Sequence, residues 1–177
     1  EQLQAAGDTV INVDIRDADI VADLTTAEGR QLALAAIRAR CPDGINGFVP
    51  CAGLGPQYPS LSRITSLNFF AVRELTECLL PLLKLANGHV VLVASNSASL
   101  PGINQDLVQA MLGNNEILTC ELVEKLDGFQ AYGGSKQALV RWMRKLTPVW
   151  AKEGVRINAV APGTTQTPLL QAGLDDP

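Results

Sequence analysis

The chain has 177 residues, 47% of them hydrophobic, and a formal net charge of −4. Its 14 basic residues are scattered among 18 acidic ones, which disfavours a nucleic-acid partner, and no apolar run approaches the roughly 20 residues of a membrane span. Four separated cysteines and a single histidine disfavour a zinc site or a disulfide framework, and no signal-peptide pattern opens the chain. We therefore expect a single cytoplasmic domain over residues 1–177, without a metal.

The first part of the chain predicts alternating helices and strands. EQLQAA, residues 1–6, predicts the end of a helix, and TVINVD, residues 9–14, predicts a strand. TTAE, residues 25–28, has the pattern of a capping box in front of a helix with apolar residues at helical spacing. INGFVPCAG, residues 45–53, predicts a second strand.

The middle of the chain predicts a long helix and a buried strand. Apolar residues keep helical spacing from about 62 to 86, and Pro81 marks a predicted kink. HVVLVAS, residues 89–95, is a continuous apolar run. A parallel sheet that is covered on both faces requires strands of this kind.

The last part of the chain begins with a polar insertion over residues 100–130, whose two amphipathic segments predict a short helical pair. A long helix is predicted from 132 to about 152, and VRINAVAPG, residues 155–163, predicts a fourth strand. Four alternations of strand and helix predict an α/β fold with a parallel sheet and right-handed crossovers.

Ligands bind such sheets beyond the carboxyl ends of the strands, and Asp14 lies at one of these ends. Its carboxylate can accept hydrogen bonds from the ribose of an adenine dinucleotide and would repel the extra phosphate of NADP. NAD is therefore favoured, although Arg16 could attract that phosphate. The alternative is a turn residue that ends the strand. Gly53 and Gly163 would either let a flat ligand approach the main chain or serve as turns.

Tyr132 and Lys136 are four positions apart, so a helix would place them on one face. An isolated tyrosine has a pKa of about 10, and a neighbouring ammonium favours the phenolate. The pair could therefore transfer a proton to a carbonyl oxygen during hydride transfer. The alternative is an ordinary solvated pair near the start of a helix.

Two further polar residues accompany this pair. Ser95 ends the strand HVVLVAS, where its hydroxyl could hold a substrate oxygen, with Ser97 and Ser99 as rivals for the role. Asn68 lies within the helix predicted at 62–86. It would either bend that helix and hold water in a proton relay, or form an ordinary satisfied amide.

Taken together, DIRD and CAG after strands, SLN in a helix, the strand-end serine, YGGSK and NAVAPGTTQTP resemble the short-chain dehydrogenase/reductase family over essentially the whole chain. The phrases VDIRDADIVADLTTAEGR and TPLLQAGLDDP look most like its branch acting on 3α-hydroxysteroids and other hydrophobic carbonyl compounds. The resemblance implies a Rossmann-type, doubly wound parallel sheet in an α/β/α arrangement. It also implies NAD(P)-dependent interconversion of a secondary alcohol and a carbonyl, in a homo-oligomer.

The resemblance assigns roles to individual residues. Tyr132 would be the general acid and base, Lys136 its activator, Ser95 the group that positions the substrate oxygen, and Asn68 a member of the relay. The residues expected along the cofactor are Asp14, Ile15, Asp23, Leu24, Cys51, Ala52, Gly53, Tyr132, Lys136, Pro162, Gly163, Thr165 and Thr167.

The chain also departs from the family pattern. Cys51 stands where the family usually has asparagine, and the glycine-rich phosphate loop, the first strand and the last part of the domain are not found. Because that strand would lie in the centre of a 3-2-1-4-5-6-7 sheet, the strands present should not pair continuously. We expect these residues alone to fold poorly and to lack turnover, which a cooperative melt with full activity would contradict.

The insertion separates Ser95 from Tyr132 by 37 positions, whereas little more than a dozen is common in the family. We expect it to form a substrate lid and to obstruct a common dimer contact. Two other functions stay open, a non-catalytic dinucleotide-binding protein and a sugar-nucleotide epimerase. The intact serine, tyrosine and lysine argue against the first, and the APG and DIRDAD contexts against the second.

Overall fold

The structure is a computed structural model that describes residues 2–163 and 165. In chain order its elements are α1 (Gln2–Ala5), β1 (Val13–Asp14), β2 (Ile20–Val21), α2 (Ala27–Arg40), β3 (Gly47–Phe48), α3 (Leu61–Thr65), a π-helical turn (Ser66–Ala71), α4 (Val72–Leu85), β4 (His89–Val93), a 3₁₀ turn (Asn96–Ser99), α5 (Gln105–Leu112), α6 (Glu116–Val123), α7 (Gly128–Lys152) and β5 (Arg156–Val160). No helix in these ranges is long and apolar enough to cross a membrane.

The described strands form two parallel sheets, which confirms the predicted α/β class. β1 pairs with β2, and β4 lies between β3 and β5. The pairing of β4 with β5 runs from His89 opposite Arg156 to Val93 opposite Val160. The two separate sheets agree with the prediction of discontinuous pairing. Because neighbouring strands are parallel, the residues that follow them collect at one edge of each sheet.

The first sheet differs from the prediction in two ways. Only Val13 and Asp14 of the predicted strand 9–14 are paired, and their partners Ile20 and Val21 form a strand that was not predicted. Ile20 is buried and Val21 is exposed, so the strand follows the expected alternation for just two residues. A run this short, among the charged residues of DIRDAD, gives no readable periodicity.

The helices predicted around residues 25–40 and 62–86 are present, and the structure adds detail to both. Thr26, rather than Thr25, caps α2, with its hydroxyl accepting a hydrogen bond from the N–H of Gly29. The second helix is interrupted by the π-helical turn Ser66–Ala71, which contains Asn68, and α4 then continues through Pro81. The kink at Pro81 stays a prediction.

Helix α7 begins at Gly128 instead of residue 132, because Asp127 caps it by accepting a hydrogen bond from the N–H of Gln130. Tyr132 therefore lies one turn inside the helix. The inward-facing side of α7 carries Trp142 and Trp150, both 4% exposed. These aromatic side chains hold α7 against the core.

The predicted helical pair of the insertion is present as α5 and α6, which pack against α7 and α3. Leu107 and Met111 of α5 are fully buried. Arg30 of α2, itself 4% exposed, makes ion pairs with Glu74 of α4 at 2.6 Å and Glu116 of α6 at 2.8 Å. Apolar packing and this network together attach the insertion to the helices around the sheet.

Candidate active site

Lys136 of α7 is buried beside Tyr132. Its Nζ donates a hydrogen bond to the carbonyl oxygen of Val93, the last residue of β4, at 2.8 Å and lies 5.6 Å from the centre of the Tyr132 ring. Burial lowers the pKa of Lys136 to about 8, and the nearby Cys51 opposes that shift. The ammonium is thus largely retained at neutral pH, within electrostatic range of the tyrosine.

The glycines between these residues allow the insertion to approach α7 closely. A Cβ at Gly133 would come within 2.7 Å of the Ile103 side chain, and one at Gly134 within 3.1 Å of Leu107. Ser135 donates a hydrogen bond to the carbonyl oxygen of Tyr132 at 2.7 Å. The sequence YGGSK therefore combines a polar face with a close helix contact, a role for the glycines that spacing alone did not reveal.

Asn68 is fully buried within the π-helical turn. Its Oδ1 accepts a hydrogen bond from the N–H of Leu54 and its Nδ2 donates one to the carbonyl oxygen of Leu54, each at 2.9 Å. Such turns break the regular helical hydrogen-bond pattern and occur often at functional sites. Asn68 thereby fixes the loop that follows Gly53, where a Cβ would lie 3.2 Å from its Oδ1. Its part in a proton relay stays a prediction.

The serines after β4 are held in different ways. Ser95 Oγ accepts a hydrogen bond from the N–H of Ser97 at 3.2 Å and donates to Asn96 Oδ1 at 3.3 Å. Ser97 Oγ is buried and has no hydrogen-bond partner among the described residues. Ser99 is exposed and bonds the carbonyl oxygen of Asn96. Ser95 and Ser97 both stay candidates, because each is 8% exposed.

The last residue of β1 and the residues that follow β1 and β3 offer exposed groups. Asp14 is exposed, and its Oδ1 accepts a hydrogen bond from the N–H of Ile15 at 2.7 Å. The Ile15 side chain is 58% exposed. Cys51 and Gly53 are exposed and Ala52 is half-buried. An exposed carboxylate beside an exposed apolar side chain fits a ligand with ribose hydroxyls and a flat ring.

Asp23 lies beyond β2 in a tight set of hydrogen bonds. Its Oδ1 accepts from the N–H of Thr25 at 3.0 Å and from the Thr25 hydroxyl at 2.6 Å, and its Oδ2 accepts from Arg63 at 2.5 Å. The Thr25 bonds and the Arg63 charge lower the pKa of Asp23, although burial opposes them. Leu24 belongs to the hydrophobic core, which leaves only its main chain for the predicted contact with adenine.

The turn after β5 meets the serine turn. The N–H of Asn96 donates a hydrogen bond to the carbonyl oxygen of Pro162 at 3.1 Å, which places that proline beside Ser95. Pro162, Gly163 and Thr165 are exposed, and the Thr165 hydroxyl bonds the carbonyl oxygen of Gly163 at 3.2 Å. The predicted residue Thr167 lies outside the described residues.

A cavity of about 490 Å³ opens between the 3₁₀ turn, α5 and α7. Sequence reasoning did not predict it, because its walls come from segments far apart in the chain. Tyr132 and Lys136 do not line it, so it meets the candidate site only at the serine. Its lining includes Ser95, Ala98, Gln105, Gln137, Arg141 and Ala161.

Comparison with known proteins decides the family. The chain is 45% identical over 182 aligned residues to the 3-alpha-hydroxysteroid dehydrogenase/carbonyl reductase of Comamonas testosteroni, covering 99% of this chain and 70% of that protein. This chain belongs to the short-chain dehydrogenase/reductase family. It is therefore a member of a family of oxidoreductases. The family model described as Enoyl-(Acyl carrier protein) reductase matches residues 96–177.

Solved structures of short-chain dehydrogenases agree. The 3-alpha-hydroxysteroid dehydrogenase from Pseudomonas sp. B-0831, complexed with NADH, superposes with a TM-score of 0.96 at 40% identity over 99% of this chain and 70% of that one. A short-chain dehydrogenase/reductase from Brucella ovis gives a TM-score of 0.71 at 23% identity, over 98% of this chain and 82% of that one. The second likeness supports the Rossmann-type fold alone.

Proposed function

We propose that this short-chain dehydrogenase interconverts a secondary alcohol and a ketone with a nicotinamide dinucleotide, preferentially NAD. The observation that carries the proposal is the buried Lys136 ammonium beside Tyr132, fixed to the end of β4 only two residues before Ser95. A buried cation is costly unless it has a partner or a task. Lys136 has one such partner, the Val93 carbonyl, and it lies next to Tyr132, the proposed proton donor.

Tyr132 would exchange a proton with the substrate oxygen. In the direction of reduction, the dinucleotide would supply hydride to the carbonyl carbon, and the Tyr132 hydroxyl would protonate the carbonyl oxygen. The Lys136 ammonium would stabilise the phenolate left behind. Ser95 would hold the substrate oxygen by a hydrogen bond, which requires its hydroxyl to leave the weak 3.3 Å contact with Asn96.

Asp14 at the end of β1 and Ile15 after it favour a dinucleotide cofactor. The exposed Asp14 carboxylate can accept hydrogen bonds from two ribose hydroxyls, and the exposed Ile15 side chain offers an apolar surface for the adenine ring. The same carboxylate would repel the 2′-phosphate of NADP, so we expect NAD to be preferred. The related enzyme from Pseudomonas is known in complex with NADH, which favours this assignment.

The substrate is expected to be a 3α-hydroxysteroid or another hydrophobic carbonyl compound. The Comamonas and Pseudomonas relatives are both named 3-alpha-hydroxysteroid dehydrogenases, which supports this substrate class. The decisive assay is oxidation of NADH and NADPH by the full-length protein with a panel of 3-ketosteroids and simple aromatic ketones. NADH-dependent turnover of the steroids would support the proposal. Binding of NADH without turnover of any carbonyl would favour the alternative, a non-catalytic dinucleotide-binding protein.

The insertion is proposed to border the substrate entrance as a lid. Since α5 carries fully buried Leu107 and Met111, deletion of residues 102–128 would damage the core as well. Glu116→Gln weakens the ion pair with Arg30 while preserving the side-chain shape, so it separates an effect on the lid from damage to the core. The Michaelis constant should rise for bulky ketones and not for small ones; equal changes would count against a lid. Homo-oligomerisation stays a prediction, open to sedimentation measurements.

A further inference from the structure

Three polar side chains from distant parts of the chain form a closed set at the end of β2. Asp23 and Thr25 lie in the turn between β2 and α2, and Arg63 reaches them from the first turn of α3. The main chain of this turn is held as well, since the Asp23 carbonyl oxygen accepts hydrogen bonds from the N–H and the hydroxyl of Thr26. The main chain of Asp23 therefore has little freedom.

Arg63 determines which way the Thr25 hydroxyl points. The Nε and Nη2 atoms of Arg63 lie 3.1 and 2.8 Å from Thr25 Oγ1. Because a guanidinium can only donate, the hydroxyl must accept from it, and its own proton is then directed to Asp23 Oδ1 at 2.6 Å. Without Arg63, the hydroxyl could rotate and release the carboxylate.

The three bonds leave one acceptor position on Asp23. Oδ1 accepts from both the N–H and the hydroxyl of Thr25, so its two lone pairs are used. Oδ2 accepts from Arg63 and keeps one lone pair. The Asp23 side chain is 31% exposed, so a ligand can reach this oxygen. The carboxylate is thus held from two sides and presents a single acceptor to the outside.

Asp23 also lies on the proposed cofactor side of the fold. β1 and β2 are parallel, and the N–H of Ala22 bonds the carbonyl oxygen of Asp14, so Asp23 follows its strand beside the residue proposed to hold the ribose. Among the parts of an adenine dinucleotide, the exocyclic amine of adenine is a hydrogen-bond donor that suits a fixed carboxylate.

We propose that Arg63, acting partly through Thr25, is a positioning residue that fixes the Asp23 carboxylate to recognise the exocyclic amine of adenine. The proposal rests on the proposed use of a nicotinamide dinucleotide. It assigns Arg63 a part in cofactor selection, although its side chain is 42% exposed and the ion pair by itself would add little stability.

The test compares NADH with reduced nicotinamide hypoxanthine dinucleotide, in which a carbonyl oxygen replaces the exocyclic amine. Dissociation constants are measured by fluorescence titration of the full-length protein. The wild type should bind NADH about tenfold more tightly, because the analogue presents a hydrogen-bond acceptor instead of a donor at position 6 of the base, facing the charged Asp23 acceptor. Arg63→Met should reduce this preference to about twofold, while Arg63→Lys, which keeps the charge and one donor, should retain part of it.

The controls separate positioning from folding. Arg38→Met removes a guanidinium of α2 that donates a hydrogen bond to the Cys78 carbonyl of α4, and this variant should leave the preference unchanged. If Arg63→Met does not fold, Thr25→Val tests the same step, because it keeps the shape and removes the hydroxyl. Equal weakening of both dinucleotides by these variants, or no preference in the wild type, would overturn the proposal. Failure of the wild type to bind either dinucleotide would instead count against the proposed function.

Discussion

The proton-transfer side of the candidate site and its cofactor side are built differently. On the first side, Lys136 and Asn68 are buried, and each already has hydrogen-bond partners within the chain. On the second, Asp14 at the end of β1 and Cys51 and Gly53 after β3 are exposed, and both strands are very short. The first side is therefore organised by the protein core, whereas on the second side these three residues are exposed to a ligand and Asp23 is held by surface hydrogen bonds from Thr25 and Arg63. Substitutions on the two sides should then differ in kind, affecting chemistry and stability on one and cofactor selection on the other.

The largest effect is expected from Tyr132→Phe. Loss of the hydroxyl removes the proposed proton donor, so kcat should fall by about a thousandfold while the dissociation constant for NADH changes little. Steady-state kinetics and fluorescence titration measure the two quantities. Tyr58→Phe changes the other tyrosine of the chain and serves as the matched control. Persistence of the full rate in Tyr132→Phe would exclude Tyr132 as the acid.

The next effect concerns the stability cost of the buried ammonium. Because burial lowers the folded-state pKa of Lys136 from 10.5 to about 8, its cost is fully present below pH 8 and disappears as the pH rises to 10.5. Relative to Lys136→Met, the wild type should gain about 3 kcal/mol of unfolding free energy across that range.

Urea denaturation of both proteins at pH 7.5 and about pH 10.5 measures this difference. Lys145→Met, which changes an exposed lysine of the same helix, should show no such dependence. Parallel stability curves for the wild type and Lys136→Met would mean that the ammonium is solvated in the folded protein.

A comparison of Ser95→Ala with Ser97→Ala tests which serine holds the substrate oxygen on the proton-transfer side. Removing a hydroxyl that holds the substrate oxygen should lower kcat by about a hundredfold. We expect this loss for Ser95, while Ser97→Ala should be nearly neutral or slightly stabilising, because its hydroxyl is buried without a partner among the described residues. Kinetics of the purified variants decide, and the reverse pattern would transfer the role to Ser97.

The smallest effect is expected on the cofactor side. Asp14→Asn removes the charge and keeps the shape, so the ratio of kcat/KM for NADPH to that for NADH should rise by about tenfold. The free energy of unfolding should stay within about 0.5 kcal/mol of the wild-type value, because Asp14 is exposed. Asp8→Asn is a control with equal loss of charge. An unchanged ratio in Asp14→Asn would remove Asp14 from cofactor selection.

The sequence predicted the features that depend on local spacing. The four-residue interval of Tyr132 and Lys136, the serine at the end of an apolar strand and the helical pair of the insertion are all read from neighbouring residues. The π-helical turn also lies where Asn68 suggested a local bend. Such features follow from the geometry of one element at a time.

Features that join distant segments were missed. Arg63 contacts Asp23 across 40 positions, and Arg30 joins Glu116 across 86 positions. β2 was missed because its two residues pair with another short strand and carry too little pattern. These contacts depend on how the elements pack, which periodicity within one segment does not report.

The hydrogen bond from Lys136 to the Val93 carbonyl also has a mechanical consequence. A helix advances about 1.5 Å per residue, so a slide of α7 by one position would exceed what a 2.8 Å hydrogen bond tolerates. Together with the packing of Trp142 and Trp150, the lysine therefore helps to hold the register of the helix against the strand that ends two residues before Ser95. A shift of Tyr132 along the sheet would strain this hydrogen bond, so Lys136 contributes both a positive charge and a positional restraint.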